Sequence, residues 1–529
     1  MRGQYGGPMP QLSWRHHLPD GADFDPVGDA VPAGLPAAWA RTWSADPHAP
    51  LLKASGEPGR GWITAAELDD RSRHLAEALA TLASGSGTRV LWSPDRSVEA
   101  VVSHVGALRA GLTLVPLNPT LTARELTHVV HDAAPAAALV AADATTLAHG
   151  LAGAGVPLGL DHSLVTLWGP SPGSGVSRVG AGAGTRSREL AGASLAGAEP
   201  GGDAPALVCY TSGTTGAPKG AVLSHRSVLA NSRALAAAWG WERSDRLVHA
   251  LPLFHGHGLC AALYTGLMVG ASTVLLPGFT PGAVLDAVAA EDATLFFGVP
   301  TMYHRISGSG RAGELRPLRL AVSGSAPLSA ELHRRLKDAG TDVLERYGMT
   351  ETLLTVSNPL RGERRAGTVG FPLPGVEVDV DPSSSELLVR GPQLFSGYLG
   401  RPQATADCFV DGWFRTGDLV EVDDGYVRVL GRAGDVVISG GFNVYPAEVE
   451  DVLLRHPAVA EVAVTGSPSE EWGEVVTAWV VPAGGAFDPD ELLRFAAEVL
   501  APYKRPRSVR VVNELPRNAM GKVMRSALS

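Results

Sequence analysis

Cysteine is nearly absent: three residues in 529, Cys209, Cys260 and Cys408, lie too far apart for metal-ligand spacing. That excludes a disulfide framework and suits a reducing cytosol. Lysine is just as scarce, with Lys53, Lys219, Lys337, Lys504 and Lys522 the whole complement among 44 basic residues. Acidic residues outnumber basic ones, and a formal net charge of −10 argues against nucleic acid or an anionic membrane surface as the main partner. Any phosphate-bearing ligand must be met by local basic groups. No apolar leader is visible in residues 1–42, which are rich in Gly, Pro, Asp and His and read as an arm on the surface. The one long stretch poor in charge, 247–285, contains only His249, His255 and His257 as charge-capable residues. Gly258, Gly266, Gly270, Ser272 and Pro277 interrupt it, so it reads as a buried helix over 258–269 and a strand over 272–276, with no membrane span.

What is present is enough apolar sequence for more than one core, and a length that calls for two or more domains. Residues 62–64 read as a strand and 65–82 as an amphipathic helix. A βαβ unit follows, with strands 89–92 and 112–117 around a helix over 98–110, which favours a parallel sheet. Thr122 and Glu125 form a capping box opening a helix to 131, and 136–141 is a further strand. The stretch 169–205 is dominated by Gly, Ala and Ser and reads as a poorly ordered excursion. Strand, turn and helix then alternate to residue 347. Beyond Gly367 short alternating strands suggest a β-rich subdomain, and from Arg432 a smaller α+β unit begins. The expected class is α/β, with domains at 43–431 and 432–529 after the arm at 1–42.

The chain is organised around Tyr210-Thr-Ser-Gly-Thr-Thr-Gly-Ala-Pro-Lys-Gly220, which follows the apolar run 206–210. Its glycines let backbone N–H groups turn toward an anion, Thr211, Ser212, Thr214 and Thr215 add hydroxyl donors, and Lys219 supplies a point charge. It is not a Walker A loop, because Pro218 and Gly220 flank the lysine. Further motifs are Ser323-Gly-Ser-Ala326, Arg346-Tyr-Gly-Met-Thr-Glu-Thr352, Asp411-Gly-Trp-Phe-Arg-Thr-Gly-Asp-Leu419, Gly431-Arg432, Ile438-Ser-Gly-Gly-Phe-Asn-Val-Tyr-Pro-Ala-Glu448 and Pro516-Arg-Asn-Ala-Met-Gly-Lys522.

In that order and spacing, from about residue 62 to 528, these motifs resemble the adenylate-forming superfamily of acyl-CoA synthetases, luciferases and peptide-synthetase adenylation domains. The resemblance implies an acid activated by ATP and Mg2+ as an acyl-adenylate, then passed to coenzyme A. It places Thr211, Ser212, Gly213, Thr214, Thr215 and Lys219 on the phosphates and Ser325, Ala326 and Tyr347 at the adenine. Asp418 and Arg432 fall on the ribose, Thr350 on a phosphate and Glu351 on magnesium. Lys522 is the lysine that reaches the carboxylate and α-phosphate, where an ammonium offsets developing charge. Gly441 matches the pantetheine tunnel and Gly434 the hinge of a mobile C-terminal domain.

Within the superfamily the chain looks most like malonyl-CoA synthetases, through Leu251-Pro-Leu-Phe-His-x-His-Gly-Leu259, Gly298-Val-Pro-Thr-Met-Tyr-His-Arg305 and the two motifs at 323 and 346. The implied acyl pocket holds His255, Arg305, Gly324 and Met349, with Arg305 paired to a distal carboxylate. His255 and His257 have no nearby acidic or thiol partner for a metal. Leu353-Leu-Thr-Val356 is more apolar than a malonate pocket requires, and Gly256, Cys260, Ala261 and Ala262 are small, leaving room for a bulky polyketide, terpenoid or fatty acid. Loading of an acyl carrier protein instead of free CoA would use every nucleotide motif unchanged. A non-catalytic descendant would be expected to lose Lys522 or Glu351, and both are present.

Overall fold

The computed structural model describes residues 12–19, 22–26, 34–55, 61–80, 87–140, 158–160, 166–167, 177–178, 200–211, 218–469, 471–484, 487–518 and 522–528. Ser212, Gly213, Thr214 and Thr215 of the phosphate loop, and most of the Gly/Ala-rich stretch 169–205, lie outside them. Two parallel-rich sheets carry the large unit. Among the described residues one has nine strands, in the order 371–372, 353–357, 344–349, 320–323, 295–298, 246–249, 272–275, 50–54 and 63–64. The six from Leu344–Met349 to Pro50–Ala54 run parallel, and the outer ones are antiparallel. The other has seven, in the order 397–398, 219–224, 205–211, 113–116, 89–93, 137–140 and 158–160, parallel except at Lys219–Ser224 and Gly397–Tyr398.

The helices form where their sequences place caps. Thr64 with Glu67, and Thr122 with Glu125, make reciprocal capping boxes at the starts of Ala65–Leu79 and Ala123–Ala133. Ser97, Ser224 and Ser329 cap Val98–Arg109, His225–Ala238 and Ala330–Asp338 through their hydroxyls. Strands 272–275, 295–298 and 320–323 are buried along their whole length, a setting that favours apolar runs such as Leu295-Phe-Phe-Gly298. The expected helix over 258–269 is present in two parts: a π-helix, His257–Tyr264, continued by an α-helix, Thr265–Val269, both inside the core. A wider helical turn of this kind inside a protein is uncommon and is often found beside a functional site.

The arm is shorter than the sequence suggested. Leu35–Ser44 is a helix whose Leu35, Trp39 and Trp43, four residues apart, are buried in the main core. At about 1.5–3 kcal/mol per buried large apolar side chain, that face commits the segment to the large unit. The peripheral part ends before Gly34. In it His16 stacks on Phe371 at 4.1 Å, and a His17 ring nitrogen lies 3.2 Å from the Phe371 carbonyl.

The β-rich sheet pairs Glu377–Val380, Glu386–Arg390, Trp413–Asp423 and Phe409–Val410, with Tyr426–Arg432 alongside Trp413–Asp423. The chain then turns through Ala433–Asp435 into a small α+β unit. There Val459–Ser469 and Gly473–Pro482 form a long hairpin, and helices Pro446–Leu453 and Pro489–Val499 share its core.

One carboxylate staples the amino edge of the nine-stranded sheet. Asp245, just before Arg246–His249, accepts from Thr294 Oγ1 at 2.7 Å and from both Nε (2.6 Å) and Nη2 of Arg319. Thr294 and Arg319 immediately precede the next two strands. Burial alone would raise the Asp245 pKa, but the Arg319 guanidinium, the Glu242 N–H and the Thr294 hydroxyl hold it below the ordinary aspartate range. Asp245→Asn breaks a largely buried pair and is expected to cost about 3–5 kcal/mol. A group with a depressed folded pKa stabilises fully above its unfolded value, so the difference in melting between variant and parent should be complete above about pH 4 and shrink as pH falls below it. Calorimetric melting of both proteins across that range checks this.

Candidate active site

The functional motifs meet at the carboxyl ends of the parallel strands, opposite the Asp245 staple. Ser323 and His249 end strands 320–323 and 246–249, Arg346 lies in strand 344–349 just past its parallel pairing at Leu344 and Glu345, and ligands of open α/β sheets bind at such edges.

Asp418 and Arg432 face each other across the antiparallel ladder, and Arg432 Nε lies 3.0 Å from Asp418 Oδ1. Tyr347, at the end of the nine-stranded sheet, donates its hydroxyl to Asp418 Oδ2 at 2.6 Å. Burial, then the Asp418 charge, pushes the phenol pKa far up, so it stays protonated and donating. Lys522, from the small unit, is close enough for Arg432 and Asp418 to act on its charge. Burial and then Arg432 lower its pKa, while Asp418 and Asp435 oppose them. Its loop is closed by Asn518, whose N–H donates to the Lys522 carbonyl at 2.9 Å and whose Oδ1 accepts from the Lys522 N–H at 3.0 Å.

At the phosphate loop, Thr211 Oγ1 donates to the Lys219 carbonyl at 3.4 Å across the base of the turn. Lys219 Nζ sits 4.9 Å from the Tyr398 ring centroid. The Tyr398 hydroxyl donates to Glu351 Oε1 at 2.7 Å. Glu351 is buried, and its Oε2 accepts no hydrogen bond among the described residues, which leaves a carboxylate oxygen for a hard cation. No group of three or more His, Cys, Asp or Glu that could hold a metal occurs among the described residues, so such a cation would depend on phosphate oxygens for the rest of its shell. Thr350, beside Glu351, is half-buried.

A second cluster surrounds Gly324. The Arg346 guanidinium lies against it so closely that a Cβ on Gly324 would fall 2.3 Å from Arg346 Cζ. Arg346 is buried, its Nε and Nη2 have no hydrogen-bond partner among the described residues, and burial draws its pKa down to about 9, with Glu345 opposing. It bears on two histidines. His255 is lowered to about 4, and His257 well below its ordinary value, by burial first and then by the Arg346 charge. His257 Nδ1 is 3.4 Å from the Ser325 hydroxyl, and Ser325 is held at a left-handed φ of 72°. Ala326 and Met349 are half-buried beside this segment.

Arg305 is not part of the cluster. It is exposed on Pro300–Gly308, with its guanidinium over the Phe279 ring at 5.1 Å. The small residues Cys260, Ala261 and Ala262 are buried and packed in the core of the π-helix, where they fill space between elements. Gly441 sits at an exposed hairpin turn with φ of 81°, and Gly434 is exposed between the two units, with open space where a Cβ would lie. Arg346 and His257 stand in motifs quoted from the sequence without a role in the site being given to them, and Tyr398 was not singled out there.

A buried carboxylate held by a half-buried phenol and arginine, with a lysine of the small unit near them, at the carboxyl edge of a parallel sheet, defines a nucleotide-binding α/β enzyme. The chain belongs to the AMP-binding enzymes: that family's model matches residues 39–399, and the model of the AMP-binding enzyme C-terminal domain matches 448–522. It is 36% identical to a feruloyl-CoA synthase of Amycolatopsis sp over 90% of this chain and 95% of that protein. It is 40% identical to a malonate–CoA ligase of Arabidopsis thaliana, over 62% of this chain and 60% of that one. The crystal structure of ATP-bound MatB from Rhodopseudomonas palustris superposes with a TM-score of 0.82 at 38% identity, covering 93% of this chain and 98% of the other. No helix among the described residues is long and apolar enough to cross a membrane.

Asp418→Asn keeps the shape of the site and removes the charge that Tyr347 and Arg432 share. It is expected to weaken AMP binding by about ten- to a hundredfold, the scale of one hydrogen bond to a charged group, and to lower melting as well, because it breaks a pair about as buried as Asp245–Arg319. Titration calorimetry with AMP checks this.

Proposed function

We propose that the protein is an ATP-dependent, AMP-forming acyl-CoA synthetase whose acid carries a second anionic group. The observation that carries the acid assignment is Arg346, a buried guanidinium with two unpartnered donor nitrogens beside Gly324. An unpaired buried cation is costly unless a ligand supplies the counter-charge, and a planar fork of donors matches a carboxylate. The family match and the CoA ligases among its relatives support the reaction class.

In the first half-reaction a carboxylate oxygen of the acid bonds to the α-phosphorus while the bond to the pyrophosphate oxygen breaks, and pyrophosphate leaves with that electron pair. Lys219 and the loop hold the phosphates, Asp418 and Arg432 the ribose, and Tyr347, Ser325 and Ala326 the adenine. The Lys522 ammonium offsets charge on the oxygens around the reacting phosphorus. Mg2+, when bound by Glu351 and phosphate oxygens, neutralises the triphosphate. In the second half-reaction the thiol sulfur of coenzyme A bonds to the acyl carbon, the acyl–phosphate bond breaks, and AMP departs. Rotation of the small unit about Ala433–Asp435 withdraws Lys522 and brings Gly441 toward the site for that step. A carrier-protein thiol is chemically equivalent, and comparing free CoA with a phosphopantetheinyl carrier distinguishes the two. The unpaired cysteines suit the cytosol.

Lys522→Ala should lower pyrophosphate release by about 10²-fold or more and leave conversion of supplied acyl-adenylate by CoA nearly unchanged. Because the Lys522 pKa is drawn below the ordinary lysine range, its ammonium is complete below that pKa and lost as pH rises through it. An alkaline limb should therefore appear in the first step of the parent enzyme and be missing from the variant. Equal loss in both steps contradicts the assignment.

Arg346→Met fills the same space without charge. With malonate, kcat/KM should fall by about 10²–10³-fold, the scale of about 3–5 kcal/mol for breaking a buried pair, and with butyrate it should change little. Four kinetic values give a double ratio, and a ratio near one rejects the dicarboxylate reading. Preference of the parent enzyme for ferulate over both acids would replace it with an aromatic one.

A further inference from the structure

Lys219 and Glu351 are an ammonium and a carboxylate facing the same region, yet they form no ion pair with each other. Tyr398 lies between them. Its hydroxyl donates to Glu351 Oε1 at 2.7 Å, and its ring faces the Lys219 ammonium at 4.9 Å. One side chain thus satisfies the anion with an O–H and the cation with a π face.

The backbone around Tyr398 is fastened to the same two places. Phe395 N–H donates to the Glu351 carbonyl, Ser396 N–H to that of Val222, and Leu399 N–H to that of Gly220, each at 2.8 Å. Tyr398 pairs with Ala221 across the antiparallel ladder, and its N–H donates to Thr405 Oγ1 at 2.9 Å. Gly397 adopts a φ of 133°, and a Cβ there would lie 2.9 Å from Thr405 Cγ2, so the strand is pressed against its support. Arg401 extends the brace: its Nη2 reaches Asp132 Oδ1 at 2.9 Å, and Tyr210, where the phosphate loop begins, donates to Asp132 Oδ2 at 2.8 Å. Both ends of the phosphate loop and the backbone of Glu351 are therefore tied to residues 395–401.

We propose that Tyr398 is a positioning residue that holds the Glu351 carboxylate and the Lys219 ammonium apart, keeping each available to a metal–triphosphate ligand. This rests on the function proposed above. Without the ring, the two charges collapse into a salt bridge that competes with phosphate for the lysine and with metal for the carboxylate. Without the hydroxyl alone, the spacer stays and only the carboxylate loses its orientation.

The two losses are separable in Tyr398→Phe and Tyr398→Leu. Binding of Mn2+ in the presence of α,β-methylene-ATP, followed by electron paramagnetic resonance, reads the carboxylate directly. Affinity of the analogue alone, by calorimetry, reads the lysine. Tyr398→Phe should weaken Mn2+ about tenfold and raise the half-saturating Mg2+ for pyrophosphate release similarly, with analogue affinity unchanged. Tyr398→Leu should weaken both ligands, each by about tenfold or more. In both variants conversion of supplied acyl-adenylate by CoA, and melting, should stay near the parent values. Parent-like Mn2+ affinity in Tyr398→Phe overturns the proposal, as does equal loss of both half-reactions together with lowered melting, the mark of a merely structural role. Should the parent protein release no pyrophosphate with any acid, the acyl-CoA synthetase reading fails, while the Mn2+ and analogue measurements still decide the role of Tyr398.

Discussion

The Asp418 carboxylate is the contact on which the site depends. It stands on the β-rich sheet, accepts the hydroxyl of Tyr347 from the nine-stranded sheet, and pairs with Arg432, the last residue before the turn into the small unit. Its charge also acts on Lys522, which arrives from near the C-terminus. One buried anion therefore registers three parts of the chain. Its desolvation is compensated by a phenol and a guanidinium.

The charge distribution follows a related logic. With acidic residues in excess and a net charge of −10, cations meant for a phosphate-bearing ligand have to be placed by structure and kept free of internal partners. Lys219 is buffered by the Tyr398 ring, and Arg346 is walled in against Gly324 with donors unspent. Asp418–Arg432 is an ion pair within the site, whereas the Asp245–Arg319 staple lies at the opposite edge of the nine-stranded sheet. Separating the stapled edge from the open one lets the sheet be rigid where its strands begin and polar where they end. Lys522 follows the same pattern, since its loop is closed by backbone and Asn518 contacts that make no use of the ammonium.

Element positions were legible wherever caps and periodicity agreed. Thr122 and Glu125 announced their helix, and the βαβ run over 89–117 folds as the parallel pair it implied. The fold class also emerged from sequence alone. The end of the arm did not, because Leu35, Trp39 and Trp43 stand in a stretch whose Gly and Pro content masks a one-sided helix. The exposure of Arg305 was not legible either, because a basic residue on a short helix after Pro300 has the same local pattern whether it faces solvent or a ligand. The phosphate loop was the clearest sequence signal, and the structure describes its two strands, with Thr211 and Lys219 at their ends.

By itself the sequence determined which chemistries are represented, since a phosphate-type loop, a Tyr-Gly-Met-Thr-Glu run and a lysine after Asn-Ala-Met-Gly are local arrangements of donors and charges readable in order along the chain. Tertiary structure alone decided which of those groups meet. Asp132 holds Tyr210 and Arg401, Tyr398 stands between Lys219 and Glu351, and Arg346 is sealed beside His255 and His257. These pairings join residues tens to hundreds of positions apart, and no local periodicity encodes them. They arise because burial removes water as the alternative partner, so that each polar group takes the neighbour the sheets bring within reach.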